Sequence, residues 1–166
     1  MSLSRRLLIA VIVIAAGAAF ALFGLKGAST AARPAPALPT TALTGSPVTL
    51  ADLHGRPAFV VFWASWCDPC ASEAPAIERF ARGLGARARL IGVNWNDPSV
   101  SGAQAFVRRF GWSFPSLRDT DGLVGDRFGL RGLPTTYLLD GSGRIAKVLT
   151  GEQTEQSLQS ALQTVQ

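Results

Sequence analysis

Ligands for metals and material for a cross-linked scaffold are scarce in this chain: 166 residues include two cysteines, one histidine, one methionine and one tyrosine. Two cysteines close at most one internal disulfide, which excludes a small multiply stapled fold. With His54 as the sole imidazole, the ligand sets of structural zinc sites cannot be assembled. Charge is also sparse, at 16% of residues against the usual quarter or so. The formal charge is +5, yet Arg5, Arg6 and Lys26 flank an uncharged stretch; without them 13 basic residues face 11 acidic ones. No run of Lys and Arg is interleaved with aromatics, so a nucleic-acid groove is not expected. No repeat of 20 to 50 residues is present, which excludes a solenoid.

What remains is 48% apolar, enough for one well-buried core. Residues 7–25 (LLIAVIVIAAGAAFALFGL) carry no charge, and about 19 helical residues span roughly 28 Å, the thickness of a bilayer's hydrocarbon. They are expected to form a transmembrane anchor. Arg5 and Arg6 keep residues 1–6 in the cytoplasm, which sends the rest of the chain outside. Ala28, Ser29, Thr30 and Ala31 are small enough for cleavage, so a signal-peptide h-region, and hence secretion, stays open. Residues 26–39 are expected as a tether, within a Pro- and Ala-rich stretch running to Pro47, and residues 40–166 as the folded domain.

Within that domain, Pro57 to Ala64 (PAFVVFWA) is a continuous apolar run of strand length, Cys70 to Gly83 is helix-like, and Leu90 to Asn94 is a second strand. This is a βαβ unit. Val100 to Phe110 reads as a helix stopped by Gly111, and Asp121 to Phe128 as a short one. Thr135 to Leu139 and Ile145 to Leu149, separated by DGSG, form a hairpin, and Gln153 to Val165 a final helix with Leu158, Ala161, Leu162 and Val165 on one face. The expected fold is α/β: a central mixed sheet with helices on both faces.

Both cysteines lie in Trp66-Cys67-Asp68-Pro69-Cys70, between the first strand and its helix. Cys-x-x-Cys beside a βαβ unit is a redox signature. Three residues apart at a helix start, two sulfurs reach bonding distance, and the first faces unpaired amide N–H groups that stabilise a thiolate. Cys67 is thus the expected exposed nucleophile and Cys70 the resolving thiol. A purely structural disulfide closing so short a loop removes little chain entropy. No metal is expected, with His54 a surface residue.

The strand FVVFWAS, the WCDPC motif, Glu73 and Pro75 in a C-x-x-E-x-P pattern, and Gly132-Leu133-Pro134-Thr135-Thr136 before a later strand resemble the TlpA/ResA type of membrane-anchored thioredoxin-like thiol-disulfide oxidoreductases. The resemblance covers about residues 40 to 165. It implies a thioredoxin-like three-layer sandwich, a cis peptide before Pro134, and substrate docking against the backbone of Leu133, with Trp66 lining the surface. It also implies an acid/base role at the resolving thiol for Glu73, which lies three residues beyond Cys70 on the same helix face; an acidic residue favoured by the helix dipole is the plainer alternative.

Two positions depart from ordinary thioredoxins. Val61 stands where they carry a buried Asp, which shifts proton handling towards Glu73. Asp68, beside Cys67, is expected to raise that thiol's pKa and make the couple more reducing. Phe62 and Trp63 are expected in the core, and Pro75 to kink its helix. Trp95 and Trp112 fit either a core or a partner groove.

The expected activity is reduction of disulfides in extracytoplasmic proteins, with no cofactor beyond the Cys67–Cys70 pair. The resemblance adds apocytochrome c as a substrate and a membrane electron donor. The same residues serve a disulfide-donating oxidant or isomerase. A non-catalytic binding module, a copper chaperone and a one-thiol peroxidase are the other readings; the C-x-x-C spacing and the lack of any histidine after residue 54 count against the chaperone.

Overall fold

The computed structural model describes residues 32–165. Seven strands form one mixed sheet in the order β1-β7-β6-β3-β4-β5-β2. They are β1 (Arg33–Pro34), β2 (Thr41–Thr44), β3 (Ala58–Trp63), β4 (Arg89–Trp95), β5 (Ser116–Asp119), β6 (Thr135–Leu139) and β7 (Arg144–Thr150). Helices α1 (Asp68–Leu84), α2 (Val100–Phe110), α3 (Leu123–Phe128) and α4 (Glu155–Leu162) cover it. β3, β4 and β5 run parallel, while β6 pairs antiparallel with β3 and with β7.

β3 is an unbroken apolar run because it is central and covered on both faces. Phe59, Val61 and Trp63 point into a core shared with α1, α2 and α4, where Phe59 meets Phe80 edge-on with ring centroids 4.9 Å apart. Ala58, Val60 and Phe62 point to the other face, towards Phe128 of α3 and Tyr137 of β6. Removing a side chain such as Phe59 or Phe62 from water contributes about 1.5–3 kcal/mol, and both are fully buried. The helices therefore lie on both faces as expected, and the sheet presents the C-terminal end of β3 to the Cys-x-x-Cys turn.

Several boundaries differ from expectation. Residues 33–39, expected as tether, join the fold: β1 pairs with β7, and Leu38 is buried. Short edge strands containing Pro leave no alternating pattern to detect. β5 is a strand where none was expected; it carries Arg118 and Asp119, whose carboxylate accepts the Val124 and Gly125 N–H groups at 3.1 and 2.8 Å and so starts α3. α1 begins at Asp68 rather than at Cys70, and continues through Pro75 to Leu84. Trp112 is core: it packs against Trp63 and Phe114, and its indole donates to the Ala74 carbonyl at 3.2 Å. Trp95 is half-buried under α3, its indole donating to the Gly122 carbonyl at 3.3 Å. Among the described residues no helix is long and apolar enough to cross a membrane, and the expected anchor, residues 7–25, lies outside them.

Candidate active site

After Trp63 the chain turns through Ala64, Ser65 and Trp66, and the Cys67 N–H closes the turn on the Ala64 carbonyl at 3.2 Å. Cys67 is the N-cap of α1, with extended backbone, and its Sγ accepts the Cys70 N–H at 3.2 Å. Pro69 lies in the first helical turn, where its missing N–H leaves no bond unmade. The two sulfurs form a disulfide 2.11 Å long, with Cα atoms 5.2 Å apart. A thiolate formed at Cys67 on reduction thus sits at the positive end of a 17-residue helix.

Exposure differs from expectation. Cys67 is only 5% exposed and Cys70 1%, because the N-cap position turns the first sulfur over the helix end. Trp66, at 54% exposed, is the residue that projects, and Asp68 and Pro69 are exposed beside it. Trp66 is therefore the accessible apolar contact at the disulfide.

Glu73 lies one turn beyond Cys70 and is 3% exposed. Its Oε2 accepts the Gln153 N–H at 2.8 Å. Burial pushes the carboxyl up to about 7, with the Gln153 hydrogen bond pulling down and Glu152 adding to the rise. A group of this kind exchanges protons near neutral pH. Val61 is fully buried and pairs with Thr136, so β3 brings no carboxylate to this side of the motif.

The Leu133–Pro134 peptide is cis. Since Thr135 pairs with Phe62, Pro134 stands beside the end of β3, next to where the Cys-x-x-Cys turn leaves the sheet. The Pro134 carbonyl accepts the Gly151 N–H at 2.9 Å, and Leu133 packs half-buried against both cores. The fold thus gathers Trp66, Cys67, Cys70, Glu73, Leu133 and Pro134 at one end of the sheet, with Asp68 and Pro69 between the sulfurs.

One member of the site has no counterpart in the sequence expectations. Asp97, 2% exposed, accepts the Ser65 N–H at 2.6 Å, the Asn94 amide at 3.0 Å and the Ser99 N–H at 3.0 Å. Burial acts to raise its carboxyl, but these bonds outweigh burial and hold it below the ordinary carboxylate value. Asp97 thereby ties the turn before Cys67 to the start of α2. Its only sequence signal is Asp97-Pro98-Ser99, a turn-and-cap pattern. His54 is exposed, as expected, and among the described residues no three His, Cys, Asp or Glu side chains gather as metal ligands.

Comparison with known proteins agrees with this geometry. The model of the AhpC/TSA family matches residues 31–148. The thiol-disulfide oxidoreductase ResA of Halalkalibacterium halodurans is 37% identical over 124 residues, which are 74% of this chain and 70% of that protein. The thioredoxin-like protein YneN of Bacillus subtilis is 32% identical over 130 residues, 77% of this chain and 76% of that one. Among solved structures, a DsbF homologue from Corynebacterium diphtheriae superposes with a TM-score of 0.74 at 28% identity, covering 83% of this chain and 90% of its own. A secreted Mycobacterium tuberculosis disulfide oxidoreductase homologous to E. coli DsbE gives 0.67 at 26% identity, covering 76% and 95%.

Proposed function

We propose, from the premise that the chain belongs to the AhpC/TSA family as a ResA-like thiol-disulfide oxidoreductase, that it works outside the cytoplasm as a membrane-tethered reductase of protein disulfides. The observation that carries the chemistry is the Cys67–Cys70 disulfide at the N-terminus of α1, with buried Glu73 one turn away. In the reduced protein the Cys67 thiolate attacks one sulfur of a substrate disulfide. A mixed disulfide forms and the other substrate sulfur leaves as a thiolate. Glu73 takes the proton of Cys70, whose thiolate then attacks Cys67 Sγ. The second substrate thiol is released, the Cys67–Cys70 disulfide forms, and two electrons have passed to the substrate. A membrane dithiol donor returns the pair to its reduced state, and no metal or organic cofactor is required.

The substrate chain docks over Trp66 and pairs with the backbone at Leu133, beside cis-Pro134. Apocytochrome c, with its haem-binding cysteine pair, is the substrate proposed on family resemblance. Residues 7–25 supply the anchor. Reductase polarity is supported by Asp68, an exposed carboxylate next to Cys67 whose negative charge opposes the positive end of α1.

The test is covalent capture. Cys70→Ala removes the resolving thiol, so the variant is expected to accumulate a mixed disulfide through Cys67 with envelope proteins, resolved by added dithiol. Cys67→Ala is expected to capture nothing. Capture by neither variant, or equally by both, contradicts the assignment of roles.

A further inference from the structure

The α3 face of the sheet is only partly covered. α3 has six residues, and beyond its end β7 is uncovered, with Val148 46% exposed, while its neighbour β6 is buried. A concavity of about 410 Å³ lies there, lined by Arg33, Arg131, Thr135, Tyr137 and Val148 beside the end of α3. The strand register explains the lining. Tyr137 stands opposite Val148, Thr135 opposite Thr150, and Arg33 opposite Ile145, whose side chain is buried in the α3-side core. All these residues therefore face the same side.

Among the described residues the two arginines have no acidic partner. The Arg33 guanidinium donates to the carbonyl of Phe128, the last residue of α3, and its charge reaches the Tyr137 phenol. Arg131 is exposed on the loop leading to cis-Pro134. Among the described residues, ion pairs join Arg79 to Glu155 and Arg82 to Glu78, and none involves Arg33 or Arg131. The concavity thus has an apolar and aromatic floor, two cations and no carboxylate in its lining. Its inner edge, Thr135, directly follows Pro134.

We propose that this concavity is a subsite for an acidic side chain of the disulfide-bearing polypeptide, with Arg33 and Arg131 receiving its carboxylate. The inference rests on the docking of substrate at Leu133 and Pro134. An extended chain advances about 3.3 Å per residue, so a Glu or Asp two to four residues from the attacked cysteine has the reach of a short stretch of β6. Charge complementarity selects the occupant, because guanidinium groups pair with carboxylates in a planar, two-bonded geometry. Specificity among disulfides would then come from residues flanking the cysteine.

The experiment uses the full chain and disulfide peptides that are identical except for Glu or Gln at two, three or four residues on either side of the attacked cysteine. The readout is the ratio of kcat/KM for the acidic over the neutral peptide within each variant, so a general loss of activity cancels. Wild type is expected to prefer one acidic peptide by about two- to fivefold per arginine at low salt, and less at high salt. The preference falls towards one in Arg33→Gln with Arg131→Gln, and the single Arg131→Glu, which sets one negative charge against Arg33, lowers it further than the single Arg131→Gln does. Arg131, exposed and off the sheet, keeps the test sound if Arg33→Gln loosens β1. Equal rates for all peptides in wild type, or a preference that survives both substitutions, overturns the subsite; equal rates together with sedimentation onto anionic vesicles that the two Gln substitutions weaken reassigns the arginines to a lipid surface. Turnover of no peptide refutes the reductase reading itself, and the subsite with it.

Discussion

Replacing Glu73 with Gln removes a titration that the fold has displaced. The carboxyl ordinarily titrates at 4.5 and is pushed to about 7 in the folded chain, chiefly by burial. The sign follows from which state holds the proton. Between these two values the folded protein keeps Glu73 protonated while the unfolded chain has released it, so stability is highest at low pH and falls as pH rises through 7. A gap of this size at about 1.4 kcal/mol per unit corresponds to roughly 3 kcal/mol lost across the window. Glu73→Gln cannot titrate and escapes that decline, while every other carboxylate cancels in the comparison. Urea unfolding of the oxidised protein from pH 4.5 to pH 8 measures it: wild type is expected to lose roughly 3 kcal/mol relative to the variant. In the same pair, resolution of a mixed disulfide should accelerate through pH 7 in wild type and lose that inflection in the variant. A stability difference that does not change with pH refutes the buried, proton-exchanging Glu73.

Asp97→Ala leaves the Ser65 and Ser99 N–H groups and the Asn94 amide without their acceptor, at a cost of about 2–4 kcal/mol. Hydrogen exchange at the Ser65 amide should accelerate with it; unchanged exchange there would separate Asp97 from the Cys-x-x-Cys turn. Gly92→Ala places a Cβ 2.5 Å from Ser116 Oγ and 2.9 Å from Trp63 Nε1, and such overpacking costs about 1–3 kcal/mol in chemical denaturation. A neutral result there would mean the Trp63 side of the core has room that the structure does not show.

The parts of the fold that were legible in the sequence are those with a strong local pattern. β3 announces itself as a continuous apolar run, which the structure buries throughout, α2 as a helix-like stretch stopped by Gly111, and the β6–β7 hairpin by DGSG. The disulfide follows from the C-x-x-C motif, whereas the cis peptide before Pro134 is implied by the family resemblance alone. What was not legible depends on pairing over long distances. β1 and β2 are short edges held by β7 and β5, with nothing periodic of their own. The burial of Glu73 needs the Gln153 N–H, 80 residues away. Trp95 and Trp112 could be separated from a partner groove only once α3 and the Ala74 carbonyl were placed against them. Cys67 illustrates the reverse limit: its type and place are evident from sequence, whereas its 5% exposure is a property of the N-cap geometry.

On the proposed function, Cys67 and Cys70 form a reversible couple poised to reduce other proteins' disulfides. An equilibrium redox titration of the full chain in defined dithiol buffers, followed by thiol alkylation, tests it most directly. A single two-electron couple near or below about −230 mV, on the thioredoxin side of the known range, is expected. A value near about −120 mV would make the protein a disulfide donor instead, and the absence of any reversible couple would contradict the oxidoreductase chemistry altogether.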